Sequence, residues 1–304
     1  MSTFIGIDVG GTRLKAGLVD DVRGVSREHV LWLSPEDKTE DGILAKLALA
    51  VQMIDPEGAA SGIGLGVAGV IRRADGVITE SPNFPLWRDF ELSSRLRARV
   101  THDVSLDNDA NCVVAGEALL GAAAGRVNVI GLTLGTGVGG GLILDRHLWR
   151  GERGMAGELG HITVHPDGPP CGCGSHGCLE AYASLVGLRR MCEREPVAGV
   201  DVASADLPRM LDAAAQAGDT TARAHFLEAG RALGQVLAGL LNALNVRTVL
   251  LAGGVAKAYR WMEPAVLHEI ERRAFAAVRA DVEIVVGTLG ERAGVVGAAL
   301  QQSL

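Results

Sequence analysis

The chain has 304 residues and a formal net charge of −7, and 41 of its residues are glycine. This glycine content is about twice that of ordinary proteins, yet no Gly-X-Y period accompanies it, which excludes a collagen-like chain. The negative net charge argues against a nucleic-acid-binding surface, which would need clustered lysine and arginine. Hydrophobic residues make up 48% of the sequence, enough for a buried core, and the length suits two domains better than one.

The N-terminus and the apolar segments predict a chain without a membrane anchor. Residues 1–3 carry no lysine or arginine, and a strand pattern follows at once, unlike a signal or transit peptide. The most apolar later stretch, residues 233–244, is interrupted by Gln235 and Asn242 and is too short to span a bilayer. We therefore expect a cytoplasmic protein that does not associate with membranes.

The beginning and the middle of the chain share one pattern. Apolar residues 4–9 predict a buried strand, glycine-rich residues 10–12 a tight turn, and residues 14–19 a returning strand. Residues 129–145 repeat this plan at an offset of 125, which aligns Gly10 with Gly135. The repeat predicts two related halves, each opening with a glycine hairpin.

The rest of the chain alternates helical and strand patterns, which predicts an α/β protein. Helices are predicted over residues 42–54, 108–120 and 221–245 and after the last strand, and further strands over residues 61–70, 248–252 and 282–286. The helix at 108–120 begins at Asn108-Asp109, either of which is a suitable N-cap.

The two glycine turns are candidate phosphate sites, because backbone N–H groups can converge on an anion where no side chain blocks its approach. The chain contains no Gly-Lys pair, which excludes a P-loop. Gly135, Gly137 and Gly140 have the spacing of a dinucleotide motif, but the apolar residues after them continue a strand instead of opening a helix. A further pair, Gly253-Gly254, follows a strand and could let a nucleotide base lie against bare backbone.

A cluster of cysteines predicts a metal site. Cys171, Cys173 and Cys178 lie on a glycine-rich loop, ten residues after His161. Three thiolates and one imidazole close the tetrahedral shell of zinc, which indicates a structural site. Two other histidines compete as the fourth ligand, and a redox Cys-x-Cys pair is the alternative to zinc. The competing histidines are His165 and His176. The other two cysteines, Cys112 and Cys192, are isolated in the sequence, and we expect them to be small buried hydrophobic residues.

Several polar side chains could act on a ligand. Asp109 lies at the start of a predicted helix, where the helix dipole stabilises its charged form and leaves it able to accept a proton. Asn83, Glu158 and Glu180 lie beside glycine, proline or the cysteine cluster, where a polar group can face a ligand. Each of them is also explained as a solvated or capping residue.

Together these motifs resemble the ROK family, whose name joins repressors, open reading frames and sugar kinases. The resemblance runs essentially from end to end, and within the family the chain is most similar to the bacterial ATP-dependent glucokinases. The motifs that carry it are residues 8–12, 81–83, 108–111, 134–141, 157–161 and 171–180. The chain departs from the usual family pattern at Ala68, where proline is common, and at Ala252, where a third glycine is usual.

The resemblance implies the actin-like ATPase (ribonuclease H-like) fold, with two related α/β domains and a cleft between them. The small N-terminal domain is predicted over residues 1–112, with the C-terminal helix of residues 290–304 packing back on it. The large domain is predicted over residues 113–289 and contains the zinc loop, residues 161–178.

The resemblance also implies a role for each matched residue. Asp109 would bind the sugar and act as the catalytic base that accepts the proton of its 6-hydroxyl group, and Asp8 would help to place Mg²⁺. The other sugar-binding residues would be Asn83, Asn108, Glu158, His161 and Glu180. The zinc ligands would be His161, Cys171, Cys173 and Cys178. The phosphates would contact Gly10, Gly11, Thr12, Gly135, Thr136 and Gly137, and the nucleoside Gly253 and Gly254.

The expected activity is phosphorylation of a hexose by ATP, with glucose converted to glucose 6-phosphate in glycolysis, and with Mg²⁺ and a structural Zn²⁺ as cofactors. Family analogy predicts a homodimer or a higher homo-oligomer. The alternatives are a kinase for another hexose or for an N-acylhexosamine, and a sugar-binding regulator of the same family. A repressor would carry a helix-turn-helix before the first glycine hairpin, and a hairpin that starts at Phe4 leaves no room for one.

Overall fold

The computed structural model describes residues 2–303. Strands and helices alternate along the chain, which confirms the α/β class predicted from the sequence. The strands are β1 (Thr3–Val9), β2 (Arg13–Asp20), β3 (Gly24–Trp32), β4 (Ile63–Val67), β5 (Val70–Arg72), β6 (Val77–Glu80), β7 (Val104–Asn108), β8 (Val129–Leu134), β9 (Val138–Leu144), β10 (His147–Trp149), β11 (Thr248–Ala252) and β12 (Glu283–Val286). The α-helices are α1 (Glu40–Ile54), α2 (Leu92–Arg97), α3 (Asp109–Leu120), α4 (Glu180–Ala183), α5 (Leu185–Arg194), α6 (Leu207–Gln216), α7 (Thr220–Leu244), α8 (Tyr259–Arg273), α9 (Ala276–Arg279) and α10 (Ala293–Leu300). Among the helices of the described residues, none is both long enough and apolar enough to cross a bilayer.

Two five-stranded sheets have the same plan. Their strand orders are β3-β2-β1-β4-β7 and β10-β9-β8-β11-β12. In the first sheet β1 pairs antiparallel with β2 and parallel with β4, and in the second β8 pairs parallel with β11. At the predicted offset of 125, β1 falls on β8 and β2 on β9 to within one residue. The internal repeat predicted from the sequence is therefore confirmed in the sheet topology.

The chain divides into two compact units. The first consists of the chain up to Val127, Gly141–Gly157 and the chain from Thr288 onward, and the second of Asn128–Gly140 and Glu158–Gly287. The domain limits predicted above, after residue 112 and after residue 289, stay a prediction. Residues 1 and 304, at the ends of those predicted ranges, lie outside the described residues.

The core of the first unit depends on the close approach of α10 to β1, β4 and α3. Glycines stand at the points of contact, where an added Cβ would overlap a backbone carbonyl group of the facing element. The overlaps are those of Gly6 with Val295, Gly64 with Ala298, Gly116 with Ala293 and Gly297 with Cys112. These glycines let the backbones pack closely, and Gly6, Gly116 and Gly297 lie outside the glycine turns predicted from the sequence.

A single methyl group at this contact should destabilise the fold. We expect Gly64→Ala to lower the free energy of unfolding by about 3 kcal/mol or more, because both colliding groups are backbone and neither can rotate away. The matched control is Gly239→Ala, an exposed position within α7 with open space around it, where alanine should add about 0.5–1 kcal/mol. Urea unfolding of both variants measures the difference, and equal midpoints would contradict the packing role.

Candidate active site

The first glycine turn lies against one of the predicted sugar-binding residues. The turn follows β1, and the N–H group of Gly10 donates to the carbonyl oxygen of Arg13 at 3.0 Å to close it. A Cβ on Gly11 would lie 3.2 Å from the side-chain oxygen of Asn83, so the Asn83 amide packs against the turn. A polar side chain and a candidate phosphate site are therefore neighbours within the first unit.

Asp8 and Lys15 place opposite charges beside this turn. Lys15 Nζ lies 3.7 Å from Asp8 Oδ2 and 3.5 Å from Glu291 Oε2, and Arg13 donates to the same glutamate at 3.1 Å. Burial raises the pKa of Asp8, and the attraction of Lys15 lowers it in part. Oxygen ligands of this type suit Mg²⁺, so the residues present fit the ion that the family resemblance assigns to Asp8.

The predicted base occupies the first position of α3. Asn108 caps this helix, because its Oδ1 accepts hydrogen bonds from the N–H groups of Ala110 and Asn111 at 2.9 and 3.3 Å. Asp109 Oδ1 also accepts from Ala110 N–H, at 2.9 Å. The helix start and its asparagine cap are confirmed, and the helix dipole favours an ionised Asp109.

Two loops near α3 are tied together by polar contacts. The side-chain amide of Asn108 donates to the carbonyl oxygen of Gly69 at 3.4 Å. The hydroxyl group of Ser81 donates to the carbonyl oxygen of Ala68 at 2.6 Å. Gly69 has a φ of +141°, which glycine adopts readily, and a Cβ there would collide with Glu80. The Ala68-Gly69 loop is thereby fixed next to the strand end that carries Asn108.

In the second unit, the four predicted zinc ligands lie together. The donor atoms of His161, Cys171, Cys173 and Cys178 all lie within 4.8 Å of one another. The Sγ atoms of Cys173 and Cys178 are 3.7 Å apart, and Cys171 Sγ is 3.6 Å from His161 Nδ1. A tetrahedral zinc with ordinary bond lengths needs separations of about 3.8 Å and about 3.6 Å, so this geometry fits the ion.

The zinc loop is connected to a side chain at the second glycine turn. Glu180 Oε1 lies 3.5 Å from Cys171 Sγ, and its Oε2 accepts from the N–H group of Val138 at 3.0 Å. A Cβ on Gly137 would overlap that second oxygen, so the carboxylate packs against the turn. On the other side of the cluster, His161 Nε2 lies 3.8 Å from Glu158 Oε2, which leaves this nitrogen directed away from the cysteines.

The second glycine turn is held from two sides. The carbonyl oxygen of Gly135 accepts from Leu185 N–H at 2.9 Å, and that of Thr136 accepts from Val186 N–H at 3.4 Å, both at the start of α5. Gly253 has a φ of +94° and packs against the backbone of Leu134, immediately before the turn. The structure thus brings the predicted nucleoside pair next to this candidate phosphate turn.

The predicted site residues therefore form two groups, one on each unit. The first contains Asp8, Gly10, Gly11, Thr12, Asn83, Asn108 and Asp109, and the second contains Gly135, Thr136, Gly137, Glu158, His161, Glu180, Gly253, Gly254 and the three cysteines. Cys112 and Cys192 are buried, as predicted for isolated cysteines. Burial raises the pKa of Cys192 to about 11 and holds the pKa of Cys112 well above its ordinary value, so both remain thiols.

Sequence reasoning missed the charged residues around these groups. Lys15 and Glu291 lie at the first turn, and Asp107 and Arg150 lie beside α3. The one available signal was Asp107, a carboxylate within the short strand β7, immediately before Asn108. Its partner is 43 residues away in sequence, which no local pattern reveals.

The chain belongs to the ROK family, whose family model matches residues 4–302. The chain is 33% identical to a glucokinase of Thermotoga maritima, over 97% of this chain and 96% of that protein. Its fold is similar to a ROK hexokinase of Thermus thermophilus (TM-score 0.83, 37% identity, 98% and 97% of the chains). It is also similar to a ROK glucokinase of Streptomyces griseus solved with glucose and AMPPNP (TM-score 0.82, 33% identity, 98% of each chain).

Relatives with other names are also similar to this chain. A xylose repressor of Bacillus subtilis is 30% identical over 96% of this chain and 75% of its own length. An N-acetylgalactosamine kinase of a Shewanella strain is 31% identical over 84% of this chain and 82% of its own. The likeness to solved ROK sugar kinases confirms the actin-like ATPase fold with two related α/β domains.

Proposed function

We propose that this chain transfers the γ-phosphoryl group of ATP to the 6-hydroxyl group of a hexose, with glucose as the preferred substrate. The chain is an ATP-dependent sugar kinase of the ROK family, and the named glucokinases and hexokinase among its relatives support this activity. Glucose is preferred in this proposal because glucokinases are similar to the chain over nearly its full length.

One observation carries the proposal. In each unit, a side chain suited to binding sugar hydroxyl groups packs directly on a glycine turn suited to binding phosphate: Asn83 on Gly11, and Glu180 on Gly137. Phosphoryl transfer requires the acceptor hydroxyl group and the phosphate to be held close together and in line. Neighbouring sites for the two groups supply that positioning.

The chain's own residues provide the chemistry. Asp109 accepts the proton of the attacking hydroxyl group, and the dipole of α3 keeps its carboxylate ionised before the reaction. In each unit, the N–H groups of the glycine turn would donate to phosphate oxygens, and Asp8 in the first unit would help to hold Mg²⁺. Bound Mg²⁺ would neutralise part of the phosphate charge.

The zinc loop would act on the sugar through His161. Its Nδ1 faces the cysteines and its Nε2 faces away from them, so one ring can bind zinc and donate to a sugar hydroxyl group. Zinc would fix the orientation of this ring and of the loop that carries Glu180. A site that pairs each hydroxyl group of its substrate rejects sugars that lack one of them.

Two other functions follow from the relatives. The N-acetylgalactosamine kinase supports a kinase for an N-acylhexosamine, and the xylose repressor supports a sugar-binding regulator. We expect the reaction to belong to glycolysis in the cytoplasm and the protein to form homodimers or higher homo-oligomers, whose mass light scattering would measure.

A sugar panel separates these functions. With ATP and Mg²⁺, we expect ADP release with glucose, weaker release with its epimers mannose and galactose, and least with N-acetylglucosamine and N-acetylgalactosamine. Xylose is the matched control, because it lacks the 6-hydroxymethyl group and should bind without being phosphorylated. Phosphorus NMR of the product should place the phosphate on O6. Sugar binding without ADP release from any hexose would overturn the kinase assignment in favour of the regulator.

A further inference from the structure

We infer that Asp107 and Arg150 form a positioning pair that holds the start of α3 and balances the charge next to Asp109. Neither residue belongs to the family motifs on which the site was predicted. The inference rests on the proposed role of Asp109 as the base, and it adds two residues that act through Asp109 without touching the sugar.

The carboxylate of Asp107 is buried next to the candidate base and accepts three hydrogen bonds. It is 2% exposed, and its Oδ1 accepts from the N–H group of Asn108 at 2.8 Å and from the side-chain amide of Asn111 at 3.0 Å. Its Oδ2 accepts from Arg150 Nε at 2.7 Å. One side chain thus holds the residue before Asp109 and a residue two positions after it.

Arg150 connects this carboxylate to a different element of the first unit. It follows β10, and its Nη1 donates to the carbonyl oxygen of Leu148 at 3.1 Å while its Nε donates to Asp107. The arginine side chain is 14% exposed and the aspartate side chain 3% exposed, so the pair is largely shielded from water. Breaking such a pair leaves a buried charge without compensation, which costs far more than losing a surface ion pair.

The pair also sets the local charge around the base. Asp107, Asp109, Asp8 and Arg150 all act electrostatically on the buried thiol of Cys112, one turn into α3. Arg73, from the segment after β5, adds a second cation with Nε 3.8 Å from Asp107 Oδ2. The carboxylates therefore outnumber the guanidinium groups around the start of α3, and we expect removal of one charge of the pair to act on Asp109 as well.

The direction of that shift differs between the two partners. Arg150→Gln leaves the negative charge of Asp107 uncompensated, which disfavours a charged Asp109 and moves the acid limb of kcat/KM to higher pH. Asp107→Asn leaves Arg150 uncompensated, which favours a charged Asp109 and moves the limb to lower pH. We expect shifts of about half a pH unit or more in opposite directions. If the pair were merely structural, both variants would be less stable, but their acid limbs would not move in opposite directions.

The experiment measures pH profiles of kcat/KM for hexose phosphorylation in wild type and these two variants, with Arg150→Lys added. The lysine variant keeps the positive charge but cannot contact Asp107 and the Leu148 carbonyl oxygen at the same time, so we expect a kcat reduced about tenfold with an unshifted acid limb. Arg72→Gln is the matched control, because this neighbouring arginine is half exposed and pairs with Asp75. It should leave both kcat and the profile unchanged.

The outcomes separate the inference from the proposed function. Opposite shifts support the positioning pair, and unshifted profiles or shifts in the same direction overturn it. If Asp107→Asn does not fold, Arg150→Gln and Arg150→Lys still test the inference. Acid limbs of kcat/KM at the same pH in those two variants would overturn it. If instead wild type phosphorylates no hexose, or Asp109→Asn retains normal turnover, the proposed function has failed and not the pair.

Discussion

Replacing Asp109 with asparagine is expected to lower kcat for hexose phosphorylation by about 10²–10⁴-fold, the range that a positioned general base contributes. Asparagine keeps the shape of the side chain and can still accept the hydrogen bond from Ala110 N–H. The dissociation constant for glucose should therefore change only a few-fold, because the hydroxyl group keeps a polar partner. Coupled ADP release measures the first quantity and calorimetry the second.

A matched control tests whether the loss is local to the base. Asp75→Asn removes an exposed carboxylate of the same unit that pairs with Arg72, and it should leave kcat unchanged. Turnover close to wild type in Asp109→Asn would remove the assigned base. Weaker glucose binding with an unchanged kcat would show that Asp109 binds the sugar without acting on its proton.

Removing one cysteine of the zinc loop should abolish metal binding and activity together. Cys173 is exposed, so Cys173→Ser deletes one donor atom with little effect on packing. We expect zinc content to fall from one ion per chain to near zero, with hexose phosphorylation lowered by about 10–100-fold, because His161 and Glu180 then lose their support. Metal analysis of the purified protein measures the first effect.

His176→Ala is the control in the same loop, since this exposed imidazole lies outside the group of four clustered donor atoms. It should retain one zinc ion per chain and normal turnover. Zinc content unchanged by Cys173→Ser would contradict the ligand assignment. Zinc lost with activity retained would confine the ion to a structural role remote from the sugar.

Local features could be predicted from the sequence because they depend on neighbouring residues. The two glycine hairpins, the start of α3 at Asp109 and the strand Thr248–Ala252 were predicted within one or two residues. For the zinc loop, spacing left His161, His165 and His176 as alternatives, and the family resemblance implied His161. In the structure His161 is the histidine that lies with the three cysteines.

Contacts between distant segments could not be predicted in the same way. The Asp107–Arg150 pair joins the end of β7 to the chain after β10, and Lys15 meets Glu291 across almost the whole sequence. The glycine excess shows the same limit. Gly6 and Gly64 lie within strands β1 and β4. Glycine is required there because the backbone of α10, more than 200 residues away in sequence, leaves no room for a Cβ atom.

The packing of α10 on β1, β4 and α3 has a consequence for synthesis. Chains emerge from the ribosome N-terminus first, and domains generally fold as units once their residues are available. All residues of the second unit, Asn128–Gly140 and Glu158–Gly287, precede α10 in the chain, whereas the first unit needs that last helix to cover its sheet. The unit that contains the first-translated residues is therefore completed last, when α10 becomes available to pack against Gly6 and Gly64.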